Sequence, residues 1–346
     1  MKGIAHFITG VAIATFFPEV VHQAQAGSLL PMLGGIAGIL PDTLDFKFVR
    51  YFEDYDEEID PGLQPNARRI AERLADAMRR AYESGRPQNV MLHTVRLGAD
   101  LWRQYTVRFD PKQSEVAVRI GPIVNTGQVP LPGSEPPPLS SPPPGGKEGE
   151  REARVKVGVP MVPTYDEETK IDIFSGPSFK FERRGDQLHV HFLDWHRRWS
   201  HSLTLATALG LVGGTIFGVW GGLVIGLGLA GHVLEDQLGY MGSNLLYPLT
   251  RRRSPGAQLF HSGDAAPNFL TVWTGLALIL FNLDRFSAQP RLNPWWFLGL
   301  AVALPVVVLG GLYRWRRRRE EREASETKES LRQRDILAEV EEVEVG

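Results

Sequence analysis

Histidines and carboxylates stand at the edges of the apolar stretches of this 346-residue chain. His6 opens the first stretch, and Pro41-Asp42-Thr43-Leu44-Asp45 closes the second. His196-Arg197-Arg198-Trp199-Ser200-His201-Ser202 opens the third, and Gly231-His232-Val233-Leu234-Glu235-Asp236 closes it. Imidazole and carboxylate together form a hard-to-borderline donor set suited to zinc, manganese or iron. His232 and Asp236 are four apart, so a helix puts both on one face, within reach of one ion. His196 and His201 are five apart, about 140° around a helix at 3.6 residues per turn. They converge only if His196 precedes the helix, which Ser200 would then cap. His6, Asp42, Asp45, His196, His201, His232 and Asp236 are therefore the candidate ligands of one or more divalent cations, zinc first, with manganese as the alternative. The chain has no cysteine, so a thiolate site and a disulfide scaffold are both excluded.

The chemistry follows from the residue types. A cation held by His and Asp lowers the pKa of a bound water toward neutrality and polarises an ester oxygen. Arg197 is the candidate to hold an anionic substrate oxygen bidentately. Glu235, or Asp45 if it is not a ligand, is the candidate proton acceptor. Each assignment has a plainer counterpart. His232 with Asp236 fits a buried hydrogen-bonded pair, Asp42 fits a helix-end cap, and the arginines fit a membrane-surface anchor. His189 and His191 share one strand face that reads as solvated, and His261 with Asp264 reads as an ordinary loop.

These residues need elements that bring distant segments together. Ile4–Phe17, Leu29–Leu40, Leu203–Ala230, Phe269–Leu283 and Trp295–Tyr313 are too apolar for a solvated surface, although the mean hydropathy of −0.16 is unremarkable. The last pair approaches the roughly 20 apolar residues that a membrane-crossing helix needs. Trp295 and Trp296 stand where an interfacial aromatic belt would. As one helix, Leu203–Ala230 would be about 42 Å long and would put His201 and His232 on opposite membrane faces. A break near Gly213-Gly214 or Gly221-Gly222 makes it a hairpin with both ligand groups at the open end. The first two stretches, joined through Pro18–Ser28, repeat that shape. Two hairpins open at the same end bring the candidate ligands together, as in a helical-bundle metal site. A single Lys2 and no clear small-residue cleavage site argue against a secretory signal.

The expected fold is thus a mainly α, membrane-embedded bundle of helical hairpins with an inserted soluble β-rich module. Residues 1–46 form the first hairpin, 47–194 an α+β insertion, 195–313 the second and third hairpins, and 314–346 a charged tail. Within the insertion, Asn66–Glu83 has Ile70, Leu74, Met78 and Tyr82 at helical spacing. Alternating runs at Val90–Leu97, Tyr105–Asp110, Glu115–Ile120, Lys170–Phe174, Phe179–Arg183 and Gln187–Phe192 read as strands. The Pro- and Gly-rich Pro130–Arg151 centres a disordered loop spanning 122–162. Lys2, Lys47, Arg50, Arg197, Arg198, Arg251–Arg253, Arg314 and Arg316–Arg319 gather at the open ends, against only Arg285 and Arg291 at the turns. The positive-inside tendency then faces the metal site and the insertion to the cytoplasm. The net charge of −2 excludes a strongly basic nucleic-acid binder and an acidic disordered chain.

Four runs resemble the YdjM-like family of inner-membrane metal-dependent hydrolases: early His6; Leu-Pro-Asp-x-x-Asp (Leu40–Asp45); His-Arg-x-x-Ser-His-Ser (His196–Ser202); and His-x-x-x-Asp followed by Gly and Leu-Leu-x-Pro-Leu (His232, Asp236, Gly242, Leu245–Leu249). Together they span roughly residues 1–46 and 195–313. The family is distantly similar to zinc phospholipase C and related nucleases, which implies hydrolysis of a phosphoester or similar bond. Phe46 stands where many relatives have His, and the long insertion has no counterpart in compact members. Some members are named for binding a regulatory protein. The alternative expectation is accordingly a non-catalytic membrane scaffold that binds membrane lipid and recruits a protein partner through the insertion or the tail. A transporter fits less well, since no charge lies deep in the apolar arms.

Overall fold

The computed structural model describes residues 2–48, 51, 53–127, 129–135, 151–164, 168–172, 178–192, 196–250, 252–319 and 322. The chain divides into two compact units, Met1–Leu44 with Trp199–Gly346, and Asp45–Arg198. The first division falls within a helix and the second within the His196–Ser202 motif.

The first unit is helical. Helix α1 (Gly3–Thr15) turns through 98° into α2 (Pro18–Gln25), where Pro18 occupies the first turn and needs no amide partner. Helix α3 (Leu30–Phe48) then runs antiparallel to α1. Glycines set that approach: a Cβ on Gly34 would sit 2.7 Å from the Gly10 carbonyl oxygen, closer than real atoms pack. The 34-residue helix α5 (Leu203–Asp236) is not continuous. Gly218 has φ +75° and ψ 175°, a conformation essentially reserved for glycine, and the chain reverses there. The two arms return along one another with Gly210 against Gly226 and Gly214 against Gly222. The second arm packs on α3, where a Cβ on Gly228 would lie 2.6 Å from the Gly34 carbonyl oxygen. The expected hairpin is present, with its break between the two glycine pairs rather than at either.

Helix α6 (Ala265–Arg285) lies along α1, with Gly275 against Ile8 and Asn282 donating to Thr15 Oγ1 at 3.1 Å. Helix α7 (Pro294–Arg319), π-helical over Leu298–Ala303, returns beside α6. Trp273 Nε1 donates to the Ala301 carbonyl at 2.7 Å, and Tyr313 Oη to Asp264 Oδ2 at 2.5 Å. Among the described residues, three helices, α5, α6 and α7, are long and apolar enough by length and composition to cross a membrane. None of the most apolar window of α7 is buried, and Leu300, Val307 and Leu312 are exposed along it.

The second unit is α+β. Helix α4 (Ala67–Ser84) starts at Asn66, whose side chain accepts from Arg69 N at 3.0 Å, and ends at Gly85 in the left-handed region. One five-stranded sheet orders β1 (Glu57–Ile59), β2 (Gln88–Leu92), β9 (Ser178–Arg184), β10 (Gln187–Phe192) and β7 (Met161–Pro163). The other joins β3 (Val95–Arg96), β4 (Leu101–Asp110), β5 (Glu115–Asn125) and β6 (Glu152–Lys156), with β8 (Glu168–Ile171) also on β4. Ile70, Leu74 and Met78 of α4 share one core with Phe109, Phe179 and Phe181 of the sheets. Tyr105 Oη donates to the His93 carbonyl at 2.7 Å, and burial pushes its phenol well above the ordinary range.

The segment 122–162 differs from the loop expected there. The end of β5, all of β6 and the start of β7 fall within it, because Val124, Ala153, Val157 and Met161 have apolar surface to bury. Residues 136–150, and the tail beyond 319 except residue 322, lie outside the described residues.

Candidate metal centre

Four of the seven expected ligands converge in the helical unit. Asp42 comes from the last turns of α3, just after Pro41. His201 precedes α5, which Ser202 caps by accepting from Leu205 N at 3.1 Å. His232 and Asp236 share one face at the end of the second α5 arm. The reversal at Gly218 returns that arm to the level of His201.

The donor atoms stand close enough together to hold one cation. His201 Nε2 is 3.1 Å from His232 Nε2 and 3.3 Å from both Asp42 Oδ1 and Asp236 Oδ2. His232 Nε2 is 3.6 Å from Asp42 Oδ1 and 3.4 Å from Asp236 Oδ2. Ligands about 2.0–2.1 Å from a tetrahedral ion stand about 3.3–3.4 Å apart, so these edges fit one cation. The two histidines and Asp236 are buried, and Asp42 is partly open.

Hydrogen bonding prepares the nitrogens for that role. His232 Nδ1 lies 2.6 Å from the Gly38 carbonyl oxygen, which only accepts. Nδ1 therefore carries the proton, and the neutral ring presents its Nε2 lone pair to the centre. His201 Nδ1 is engaged 2.9 Å from Ser200 Oγ, leaving its Nε2 facing the same point. Outer partners of this kind fix the orientation of metal-binding imidazoles. Two carboxylates and two imidazole nitrogens meeting in a largely buried space could hold a cation, which would offset the cost of burying the charge.

The other expected residues have the following partners. His6 lies over His232, ring centroids 3.8 Å apart, with its Nε2 3.5 Å from Asp236 Oδ1. Its Nδ1 donates to Glu235 Oε2 at 2.7 Å, and Thr9 Oγ1 donates to Glu235 Oε1. Glu235, expected as a proton acceptor, thus has one oxygen engaged by His6 and the other by Thr9. Asp45 and His196 pair within the α+β unit: His196 Nδ1 donates to Asp45 Oδ2 at 2.7 Å, and the Arg197 amide donates to the same oxygen at 2.9 Å. Phe46 packs its ring 4.9 Å from that of His196. Arg197 is buried, with its backbone in the left-handed region at φ +62°. His191 lies 3.4 Å from Glu182 and its ring stacks with that of His189. His261 stacks on Tyr240, and its amide donates to Asp264.

Ser200, expected to cap α5, instead lies against His201 Nδ1 while Ser202 caps the helix, and Gly38 and Thr9 are not among the expected residues. The adjacency of Ser200 to His201 was the available signal for the first of these contacts. No residue type marks a backbone carbonyl such as that of Gly38 as a histidine partner.

Residues 171–316 match the model of a family described as YdjM inner membrane protein. The match includes His196–Ser202, His232, Asp236 and Leu245–Leu249, the motifs that carry the resemblance in that part of the chain. His6 and Leu40–Asp45 precede it. No curated protein and no solved structure matches the chain.

Proposed function

We propose that the protein is an inner-membrane, metal-dependent hydrolase of a phosphoester or similar bond, with its site at the cytoplasmic surface of the membrane. The observation that carries this reading is the mutual spacing of Asp42, His201, His232 and Asp236. Two imidazoles and two carboxylates suit zinc, with manganese as the alternative. A divalent cation held there supplies Lewis acidity toward an ester oxygen and activates water near neutral pH. Gly38 and Ser200 orient the imidazoles, and Asp42 forms the more open side through which a substrate oxygen would approach. Arg197 is proposed to hold an anionic substrate oxygen, on the chemistry of its guanidinium and its place in the His196–Ser202 motif.

Support for membrane insertion comes from the family description and from the apolar exposure of α5, α6 and α7. Support for the cytoplasmic side comes from the basic residues at the site's end of the helical unit. Lys2 N donates to Asn268 Oδ1 at 2.8 Å, so α1 and α6 start together, and Arg317 bonds the Leu259 carbonyl at 2.8 Å just before α6.

Elemental analysis of the full-length protein, purified in detergent, tests the reading together with turnover of a generic phosphodiester. Stoichiometric metal and phosphodiester cleavage, both lost in His232→Ala, are expected. A folded preparation without metal instead supports the scaffold reading. That reading's specific support is the Asp45–Arg198 unit, which carries its own core as a recruiting module would.

A further inference from the structure

We propose that a second divalent cation binds beside the first, between His6 Nε2 and Asp236 Oδ1, with Asp236 bridging the two. This rests on the reading of Asp42, His201, His232 and Asp236 as the first cation's ligands. The two oxygens of Asp236 face different partners. Oδ2 stands 3.3 Å from His201 Nε2 and 3.4 Å from His232 Nε2, whereas Oδ1 stands 3.5 Å from His6 Nε2. Carboxylates placed this way are the usual bridge of two-metal sites, whose ions lie about 3.5–4 Å apart.

His6 is prepared as a ligand in the same manner as His232. Its side chain is fully buried, and Nδ1 donates to Glu235 Oε2 at 2.7 Å. Its other ring nitrogen, Nε2, is buried and makes no hydrogen bond. Glu235 is itself fixed by Thr9. A buried imidazole nitrogen locked by a carboxylate–threonine pair and aimed at a carboxylate oxygen is the arrangement of a metal ligand with its outer support.

The chemistry of this position differs from that of the first. One imidazole and one bridging carboxylate oxygen leave most of the shell to water and to oxygens of the substrate. The second cation is expected to bind more weakly and to exchange more readily. An ester with anionic oxygens, such as a phosphodiester, fits a pair of cations better than a neutral ester does, because each ion can take one oxygen.

Titration of the full-length protein in detergent with Mn²⁺ alone, followed by elemental analysis and electron paramagnetic resonance, tests the proposal without any assay of activity. The wild type is expected to take up two ions per chain and to show a spin-coupled spectrum at saturation. His6→Ala is expected to retain one ion with the six-line spectrum of isolated Mn²⁺. Saturation of the wild type at one uncoupled ion overturns the second position and leaves the first standing. Loss of every ion from a His6→Ala protein that melts like the wild type also overturns it, since His6 would then serve the first ion. If that variant does not fold, the wild-type stoichiometry and coupling decide alone. A wild type that binds no ion overturns the metal reading itself.

Discussion

The hydroxyl of Ser200 bears directly on one of the expected ligands. It lies 2.9 Å from His201 Nδ1, opposite the nitrogen that faces His232, Asp42 and Asp236. Removing such outer partners commonly weakens metal binding by about 10- to 100-fold. Ser200→Ala is therefore expected to weaken zinc binding by about that factor, read by competition with a chelator, while the melting temperature without metal stays near the wild-type value. An unchanged affinity would mean that packing alone orients His201. At this scale the four converging residues are legible in the sequence as candidates, because their types are uncommon beside apolar runs and His232 and Asp236 repeat at helical spacing. The fates of Glu235 and Asp45 are not. Successive helix positions differ by about 100°, so Asp236 faces His201 while Glu235 faces His6, and only the packing of α1 on α5 decides what lies there. Asp45 is three residues beyond Asp42 on α3, but its carboxylate accepts from His196 and the Arg197 amide.

The helices reach the ligand geometry through glycine in two distinct uses. At Gly218 the backbone needs φ +75° with ψ 175°, which a residue with a Cβ adopts only under strain of about 1–3 kcal/mol. At Gly222 the backbone is helical, but a Cβ would meet Gly214 Cα at 2.7 Å, so the arms would have to part. Gly218→Ala is expected to lower thermal stability while retaining metal at saturating zinc. Gly222→Val is expected to abolish metal binding, because separating the arms moves His232 from His201. Equal metal affinity in Gly222→Val and wild type would show that the arms do not set the centre. The hairpin itself is legible because a continuous helix cannot bring His201 to His232. Its turn is less so: Gly-Gly pairs suggest breaks, yet here they serve close packing, and the reversal falls on a single glycine between Phe217 and Val219. In the α+β unit the alternating strands are legible, whereas β6 and β7 sit in a Pro- and Gly-rich stretch whose few apolar residues give little periodicity. Phe181 is fully buried among Phe109 and Phe179. Truncating it to alanine should cost about 3–5 kcal/mol, measured by denaturant unfolding of the whole chain.

For the molecule as a membrane protein, length decides which helices can cross. At 1.5 Å per residue, α6 is about 32 Å long and α7 about 39 Å, enough for a hydrocarbon core of about 30 Å. The α5 arms on either side of Gly218 return to the end they started from, so in a membrane α5 would enter and leave on one side despite its 34 residues. On the proposed membrane reading, α6 and α7 would then be the crossing pair. Their junction, where Asp284 accepts from the Arg291 and Leu292 amides, lies on the side opposite the metal centre. The segregation of arginines favours this arrangement, since Arg314 and Arg316–Arg319 end α7 while only Arg285 and Arg291 flank the turn. The cysteine-free sequence makes it directly testable, because any thiol introduced is the only one. Ala288→Cys, exposed at the α6–α7 turn, is expected to react with a membrane-impermeant maleimide in intact cells. Ser262→Cys, exposed just before α6, is expected to react only after the membrane is opened. The reverse pattern would put the metal centre on the outer face of the membrane. Labelling of both thiols in intact cells would show that α6 does not cross, and the crossing pair would have to be sought elsewhere in the chain.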